Sequence, residues 1–310
     1  MAQTRVPQPL KTHGGKGPLA KRIVALMPPH MHYVEPFAGG LAVLLERDPD
    51  DRRLWAGTGG GDRGVSELVN DLNKSLSNFW RVVGSEEMFA RFFRTVETIP
   101  LSRVEWEAAA AGLRRDDYGD DRVSWAVDFF VACRQSLAGR MTGFTPVTRN
   151  RTRRGMNGNV SEWLSAVDGL PAVHERLRRV LVEDIDALDL IPREDTPLTF
   201  YYIDPPYLHD TRASVGEYRE QEMTKGQHEA LLDLLATIKG KFILSGYPND
   251  LYGGYARRHG WRLHTFDVAN NAAGGKTKRR MTECCWTNYD PPPQRAAARG
   301  GPAPPGQRLA

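Results

Sequence analysis

"HYVEPFAGGLAVLLER", residues 32–47, decides the fold. A short apolar strand around Tyr33–Glu35 ends in a proline and two glycines, and an apolar helix runs on through about Arg47. Strand, glycine turn and helix in that order open a doubly wound α/β domain. The preceding "LAKRIVALM" reads as a helix near 18–27. Downstream, a strand at 66–70 leads into the helical "NKSLSNFWRVV". Residues 85–180 are mostly helical by the three- and four-residue spacing of "EEMFARFFRTV" and "SWAVDFFVACRQSL", broken by one long loop at 139–159. The α/β pattern then resumes. "RRVLVEDID" and "TFYYID" are strands, "GQHEALLDLLATIKG" a helix, "KFILSG" a strand and "NDLYGGYARRHG" a helix. "WRLHTFDVA" and "ECCWTNY" close the sheet as two more strands. The expected organisation is an α/β domain over 1–84 and 181–289, with a helical insertion at 85–180. From Asp290 onward, 14 of 21 residues are Pro, Gly or Ala, too little apolar bulk to fold, so a disordered tail over 290–310 is expected.

Composition narrows the function classes. The chain of 310 residues is 40% hydrophobic and 9% aromatic, enough for a substantial core. Its apolar runs are short and broken by charge, which argues against a membrane span. The N-terminus lacks the apolar core of an export signal, so a cytoplasmic location is expected. Three cysteines, two of them adjacent, have neither disulfide-framework nor zinc-ligand spacing, and no metal is expected. A net charge of +4 permits a polyanionic partner without requiring one.

The strand "TFYYI" (199–203) runs into Asp204, Pro205, Pro206 and Tyr207. Ligands of open α/β sheets bind beyond the carboxyl ends of the strands, where this tetrapeptide falls. The prolines present carbonyl oxygens and no N–H, at a fixed φ. With the Asp204 carboxylate, they make a pocket of acceptors without a competing donor, suited to an exocyclic aromatic amine. Holding both amine hydrogens favours a more tetrahedral nitrogen whose lone pair can attack an electrophile. Tyr207 offers a flat face to a base taken out of its stack. At the first strand end, Gly39 and Gly40 let backbone approach a ligand at a helix N-terminus. Asp71, at the end of the second strand, can take the two hydroxyls of a ribose. It can equally be a helix N-cap.

The series "KTHGGK" (11–16), "EPFAGG" (35–40), "VNDLN" (69–73) and "DPPY" (204–207) resembles the adenine-specific DNA methyltransferases of the Dam type. The likeness spans roughly residues 9 to 289. It implies a Rossmann-like S-adenosylmethionine-dependent sheet with a mostly helical target-recognition insertion. By resemblance, Thr12, Lys16, Asp71 and Asp204 contact S-adenosylmethionine, and the turn with Glu35, Phe37, Gly39 and Gly40 packs beneath its methionine part. Asp204, Pro205, Pro206 and Tyr207 would hold the adenine. Thr12 stands where an aromatic is frequent in that family, and Leu41 where many relatives have a third glycine.

Two basic loops complete the reading. "RNRTRR" places Arg149, Arg151, Arg153 and Arg154 inside the insertion, and "KTKRR" carries Lys276, Lys278 and Arg279. Such runs are usually solvated surface, but in an enzyme acting on duplex DNA they supply phosphate contacts or read guanine edges. The segment "NNAAGGKTKRR" ends like a phosphate-binding loop, yet Asn270 stands where its first glycine should be. The expectation is methyl transfer from S-adenosylmethionine to the exocyclic N6 amine of adenine in double-stranded DNA, by a monomer, with base flipping. The alternatives are a methyltransferase for an RNA base or a protein glutamine, and an inactive DNA-binding relative. Asp before PPY, where the glutamine enzymes carry Asn, favours the first reading.

Overall fold

The computed structural model describes residues 6–11, 15–59, 64–146, 149–208, 223–269 and 280–292. Nine strands lie among them. These are β1 (His32–Glu35), β2 (Ser66–Asn70), β3 (Thr152–Arg153), β4 (Met156–Asn157), β5 (Val180–Glu183), β6 (Thr199–Ile203), β7 (Lys241–Gly246), β8 (Arg262–Ala269) and β9 (Arg280–Thr287). Seven form one sheet in the order β5-β2-β1-β6-β7-β9-β8. The first five of that order run parallel, and β9 lies antiparallel to both neighbours. The chain moves outward from β1 through β2 to β5, then returns to lay β6 on the other side of β1. That reversal places the carboxyl ends of β1 and β6 side by side, where a crevice opens in such sheets.

Alternation explains why β6 can be so apolar. Phe200 and Tyr202 join the core on one face, and Tyr201 and Ile203 join the core on the other. All five strand residues are buried, as expected of a strand covered on both sides.

Helices cover both faces. Around the early strands lie α1 (Ala20–Val24), α2 (Ala42–Glu46) and α3 (Lys74–Gly84). Between β2 and β5 follow α4 (Glu86–Val96), α5 (Arg103–Arg115), α6 (Arg122–Arg134), α7 (Gly158–Asp168) and α8 (Leu170–Leu177). Later come α9 (Ala187–Arg193), α10 (Lys225–Leu235) and α11 (Asp250–His259). Side chains set their starts. Asn73 accepts from the Leu76 N–H, Ser85 from Met88, and Thr224 with Gln227 forms a capping box. Gly260, at φ +69°, ends α11 in the left-handed conformation.

The helices of 85–180 share the main core. Phe79 stacks on Phe130 at 5.8 Å, and both belong to the cluster that holds Ile23, Tyr33 and Leu44. A buried ion group fastens the same helices to the sheet. Glu67 of β2 takes both Arg176 terminal nitrogens of α8 at 2.6 Å, and Arg47 beyond α2 also donates to it. Arg47 in turn donates to His30 Nε2 at 3.1 Å, while His30 Nδ1 donates to the Pro28 carbonyl at 2.7 Å. Burial, and then the charge of Arg47, lower the His30 pKa to about 3, so the ring is neutral.

Sequence and structure differ in three places. The helix expected near 18–27 is a five-residue piece, Ala20–Val24. The expected long loop at 139–159 contains the β3–β4 hairpin, turned by Arg154 (φ +55°) and Gly155 (φ +74°). Positive φ at both turn residues matches the right-handed twist of short hairpins, and arginine at the first hides the signal. Helix α9 was unread because Pro192 sits inside it, in the last turn, where an interior proline usually ends a helix. The tail from residue 293 lies outside the described residues.

Candidate active site

The carboxyl ends of β1, β2 and β6 supply one group of acidic side chains, and the N-terminal segment supplies the cation among them. Lys16 is 7% exposed, and its Nζ lies 2.9 Å from Asp204 Oδ1 and 3.4 Å from Glu283 Oε1. The same nitrogen sits 4.7 Å from the centroid of the Tyr207 ring. Burying an ammonium is tolerable where carboxylates and an aromatic face replace its water. The Tyr207 hydroxyl donates to Glu283, and the ring meets Tyr247 edge-on at 4.7 Å. Tyr207 is therefore held at its hydroxyl, its edge and its face. Burial, then the charges of Asp204 and Glu283, push its phenol well above the ordinary range, so it remains a donor.

Behind the tetrapeptide, Tyr202 and Ser245 share a hydrogen bond at 3.2 Å, and Ser245 contacts Cys285 Sγ at 3.6 Å. All three cysteines are free and buried. Burial raises the thiol pKa of each, to about 11 for Cys284 and about 12 for Cys285, which makes them packing groups rather than nucleophiles.

Glu35 ends β1 and is buried, accepting a hydrogen bond from the Tyr33 hydroxyl. Helix α2 begins at Leu41 without a side-chain cap of its own. Burial raises the Glu35 pKa to about 8. The Asp204 charge adds to the rise, and the Tyr33 hydrogen bond opposes it.

The glycine turn is bound from three directions. The Gly39 N–H donates to Asp71 Oδ2 at 2.9 Å, and the Gly39 carbonyl accepts from Trp80 Nε1 at 3.1 Å. Gln8 Nε2 donates to the Gly40 carbonyl at 3.0 Å. Gly39 has φ +50°, and a Cβ built there meets nothing within 4 Å. Glycine is needed for the backbone conformation, and it leaves the peptide open to a ligand. Leu41 follows at φ +55°, left-handed and fully buried. Phe37 packs at the edge of the core on the other face.

Asp71 therefore does structural work: Oδ2 takes Gly39 N–H and Oδ1 takes Asn73 N–H at 2.9 Å. Each oxygen keeps a second acceptor site. Burial raises its pKa, and the two backbone donors oppose the rise.

Sequence reading missed two residues of this arrangement. Glu283 was passed over inside a closing strand, although a lone carboxylate in the apolar run "TECCW" is a signal in itself. Asn70 was missed because it looks like an ordinary strand end. Its amide donates to the carbonyls of Pro36 and Ile185 and accepts from the Ile185 N–H, at 2.9–3.0 Å. It thereby latches the loops after β1 and β5 to the end of β2.

Of the expected DNA-side residues, Arg149, Arg151, Arg153 and Arg154 are all exposed on and before the hairpin. Arg154 also donates to Ser165 Oγ at 3.1 Å. Thr12, Lys276, Lys278 and Arg279 lie outside the described residues. Among the described residues, no group of His, Cys, Asp and Glu has metal-site geometry, and no helix is long and apolar enough to cross a membrane.

Residues 13–105 match the family described as D12 class N6 adenine-specific DNA methyltransferase. Over this stretch the chain is similar to that family. The match runs from the Lys16 segment through β1, the glycine turn, β2 and Asp71 into α5. The strand end Asp204–Tyr207 of this methyltransferase lies beyond it and rests on its own geometry. Among curated proteins, none matches the chain. As an adenine-specific DNA methyltransferase, the protein acts on adenine in DNA.

Proposed function

We propose that the protein transfers the methyl group of S-adenosylmethionine to the N6 amine of an adenine in double-stranded DNA, the base being flipped into the pocket at Asp204–Tyr207. One observation carries this reading: the acceptor-only end of β6 lies beside the glycine turn of β1, with Lys16 bridging to Asp204 at 2.9 Å. A site for the amine and a site for the methyl donor are thus adjacent at the switch point of the sheet.

The residues fit such a donor. S-adenosylmethionine carries a sulfonium and an ammonium against one carboxylate. The strand ends offer Glu35, Asp71 and Asp204, with Lys16 beside Asp204. Gly39 leaves open space at the turn, and Asp71 retains an acceptor on each oxygen for the ribose hydroxyls. Lys16 reaches the same region, Phe37 packs beside the turn, and the resemblance adds Thr12 to the cofactor contacts. When bound, S-adenosylmethionine supplies a methyl group already activated by the positive sulfur.

The protein's share is positioning and charge. Asp204 and the Pro205 carbonyl accept the two amine hydrogens. Tyr207 supports the base. As nitrogen gains carbon it becomes positive, and Asp204 stabilises that charge. The nitrogen then releases one proton, to Asp204 or through it to solvent. The exposed arginine hairpin would carry phosphate or guanine contacts, which gives the helices of 85–180 the task of target recognition. By sequence, Lys276, Lys278 and Arg279 would add further phosphate contacts.

The test is Asp204→Ala. Methyl transfer from labelled S-adenosylmethionine to bulk DNA should fall by ~100-fold or more, the usual cost of removing a positioned charge stabiliser. The fold should survive. Activity within about tenfold of wild type would remove Asp204 from the mechanism. Sequencing the methylated DNA with modification detection would give the target site.

A further inference from the structure

Glu283 has a part that the reading above does not use. It lies on β9, is 4% exposed, and reaches the end of β6 from across β7. Two bonds hold its Oε1: the Tyr207 hydroxyl donates to it, and Lys16 Nζ lies 3.4 Å away. Lys16 is nearer Asp204, at 2.9 Å, and it covers the Tyr207 ring. This cation thus stands on the ring that is to support the base and against the carboxylate that is to grip the amine. An adenine entering there cannot share those positions with the ammonium. A buried ammonium must keep a carboxylate partner wherever it goes, and Glu283 is the second carboxylate within its reach.

We propose that Lys16 is a placeholder for the target base, and that Glu283 is the positioning residue that receives it when the base enters. In the empty site Lys16 neutralises Asp204 and keeps the Tyr207 face covered. On entry of the base it passes wholly to Glu283, which frees Asp204 for the amine hydrogens. The tyrosine does not lose its anchor in this exchange, because a carboxylate oxygen accepts from two donors at once. The proposal rests on the reading of Asp204–Tyr207 as the adenine pocket.

The experiment uses the full-length protein and a duplex carrying a fluorescent adenine analogue at the position found by methylation sequencing. The readout is the rise in fluorescence as the base leaves the stack, titrated with protein. Glu283→Gln keeps an acceptor for Tyr207 and removes the charge that receives Lys16. It should weaken base entry by about tenfold, the usual coupling between groups in contact, with S-adenosylmethionine affinity little changed. Adding Lys16→Met should then restore entry, since no cation remains to be displaced. A purely structural Glu283 predicts the opposite, that the second substitution deepens the loss.

Entry in Glu283→Gln within twofold or so of wild type would overturn the proposal, as would a double variant weaker than the single one. Lys16→Met alone is the second check should the glutamine variant fail to fold. It should admit the analogue at least as readily as wild type, and a loss of about tenfold would count against the placeholder. If the wild-type protein methylates the site yet gives no signal with the analogue, the adenine-pocket reading falls first, and the placeholder with it.

Discussion

The backbone N–H of Gly39 donates to Asp71 Oδ2 at 2.9 Å, so the turn after β1 is fixed by the residue after β2. Stability and ligand access meet at this glycine and can be separated. Gly39→Ala adds a Cβ that touches nothing in the protein itself, at a φ of +50°. The expected stability loss is about 1 kcal/mol, the ordinary cost of a left-handed alanine. Affinity for S-adenosylmethionine should fall further, by roughly tenfold or more, because the methyl occupies the ligand's approach. Calorimetric titration beside thermal melting measures both, and unchanged affinity would place the cofactor elsewhere.

Leu41 poses the reverse question, since its backbone asks for glycine and its side chain is fully buried. Relief of left-handed strain is worth about 1–2 kcal/mol. Emptying a buried leucine site costs about 2–5 kcal/mol. Burial wins, so Leu41→Gly should destabilise the protein by about 2 kcal/mol in urea unfolding. A more stable variant would mean that strain dominates.

The raised pKa of Glu35 gives stability a dependence on pH. In the unfolded chain this carboxyl loses its proton near 4.5, and in the folded protein at about 8. Between those values the folded state holds more protons, so stability falls as pH rises, by at most about 1.4 kcal/mol per pH unit. His30 acts oppositely: its folded pKa of about 3 against 6.5 unfolded makes stability rise with pH between those values. The two slopes oppose each other from 4.5 to 6.5, and Glu35 acts without His30 above that. Glu35→Gln should remove the fall between pH 6.5 and 8 expected in wild-type melting curves. Parallel curves for the two proteins would show that Glu35 is ionised throughout.

For the hairpin, changing Arg149, Arg151, Arg153 and Arg154 to Ala should weaken DNA binding with little change in S-adenosylmethionine affinity. Each lost phosphate contact lowers the salt slope of binding by about 0.9, so two or three flatten it by roughly two to three. An arginine that reads guanine would appear instead as relaxed preference of about 1–3 kcal/mol at one base pair. Affinities at several salt concentrations, on methylated-site and scrambled duplexes, decide. Identical slopes and preferences would make the hairpin a solvated surface.

Most of the sheet was legible because its strands are apolar runs bounded by turn residues, with Phe200–Ile203 the plainest. Asp204 and the glycine turn were legible because proline pairs and adjacent glycines have few other uses at strand ends. Glu283 was not, since its meaning comes from pairing across β7, a contact no local pattern encodes. Asn70 escaped for a similar reason: its three partners come from loops 34 and 115 residues away in sequence. Lys16 was visible as a motif residue, but its contact with Glu283, 267 positions later, belongs to tertiary structure alone.

Lys11 sits five residues before Lys16 and is gripped by the insertion. Its Nζ pairs with Glu162 of α7 at 2.8 Å, and its carbonyl accepts from Cys133 of α6 at 3.2 Å. A Cβ on Gly139 would lie 1.8 Å from that same carbonyl. Anyone exchanging residues 85–180 with those of a relative would therefore inherit a mismatched seam. The transplant must carry residues 6–11 as well, and a glycine at the position facing Lys11. Otherwise the transplanted helices and Lys16 would fall out of alignment.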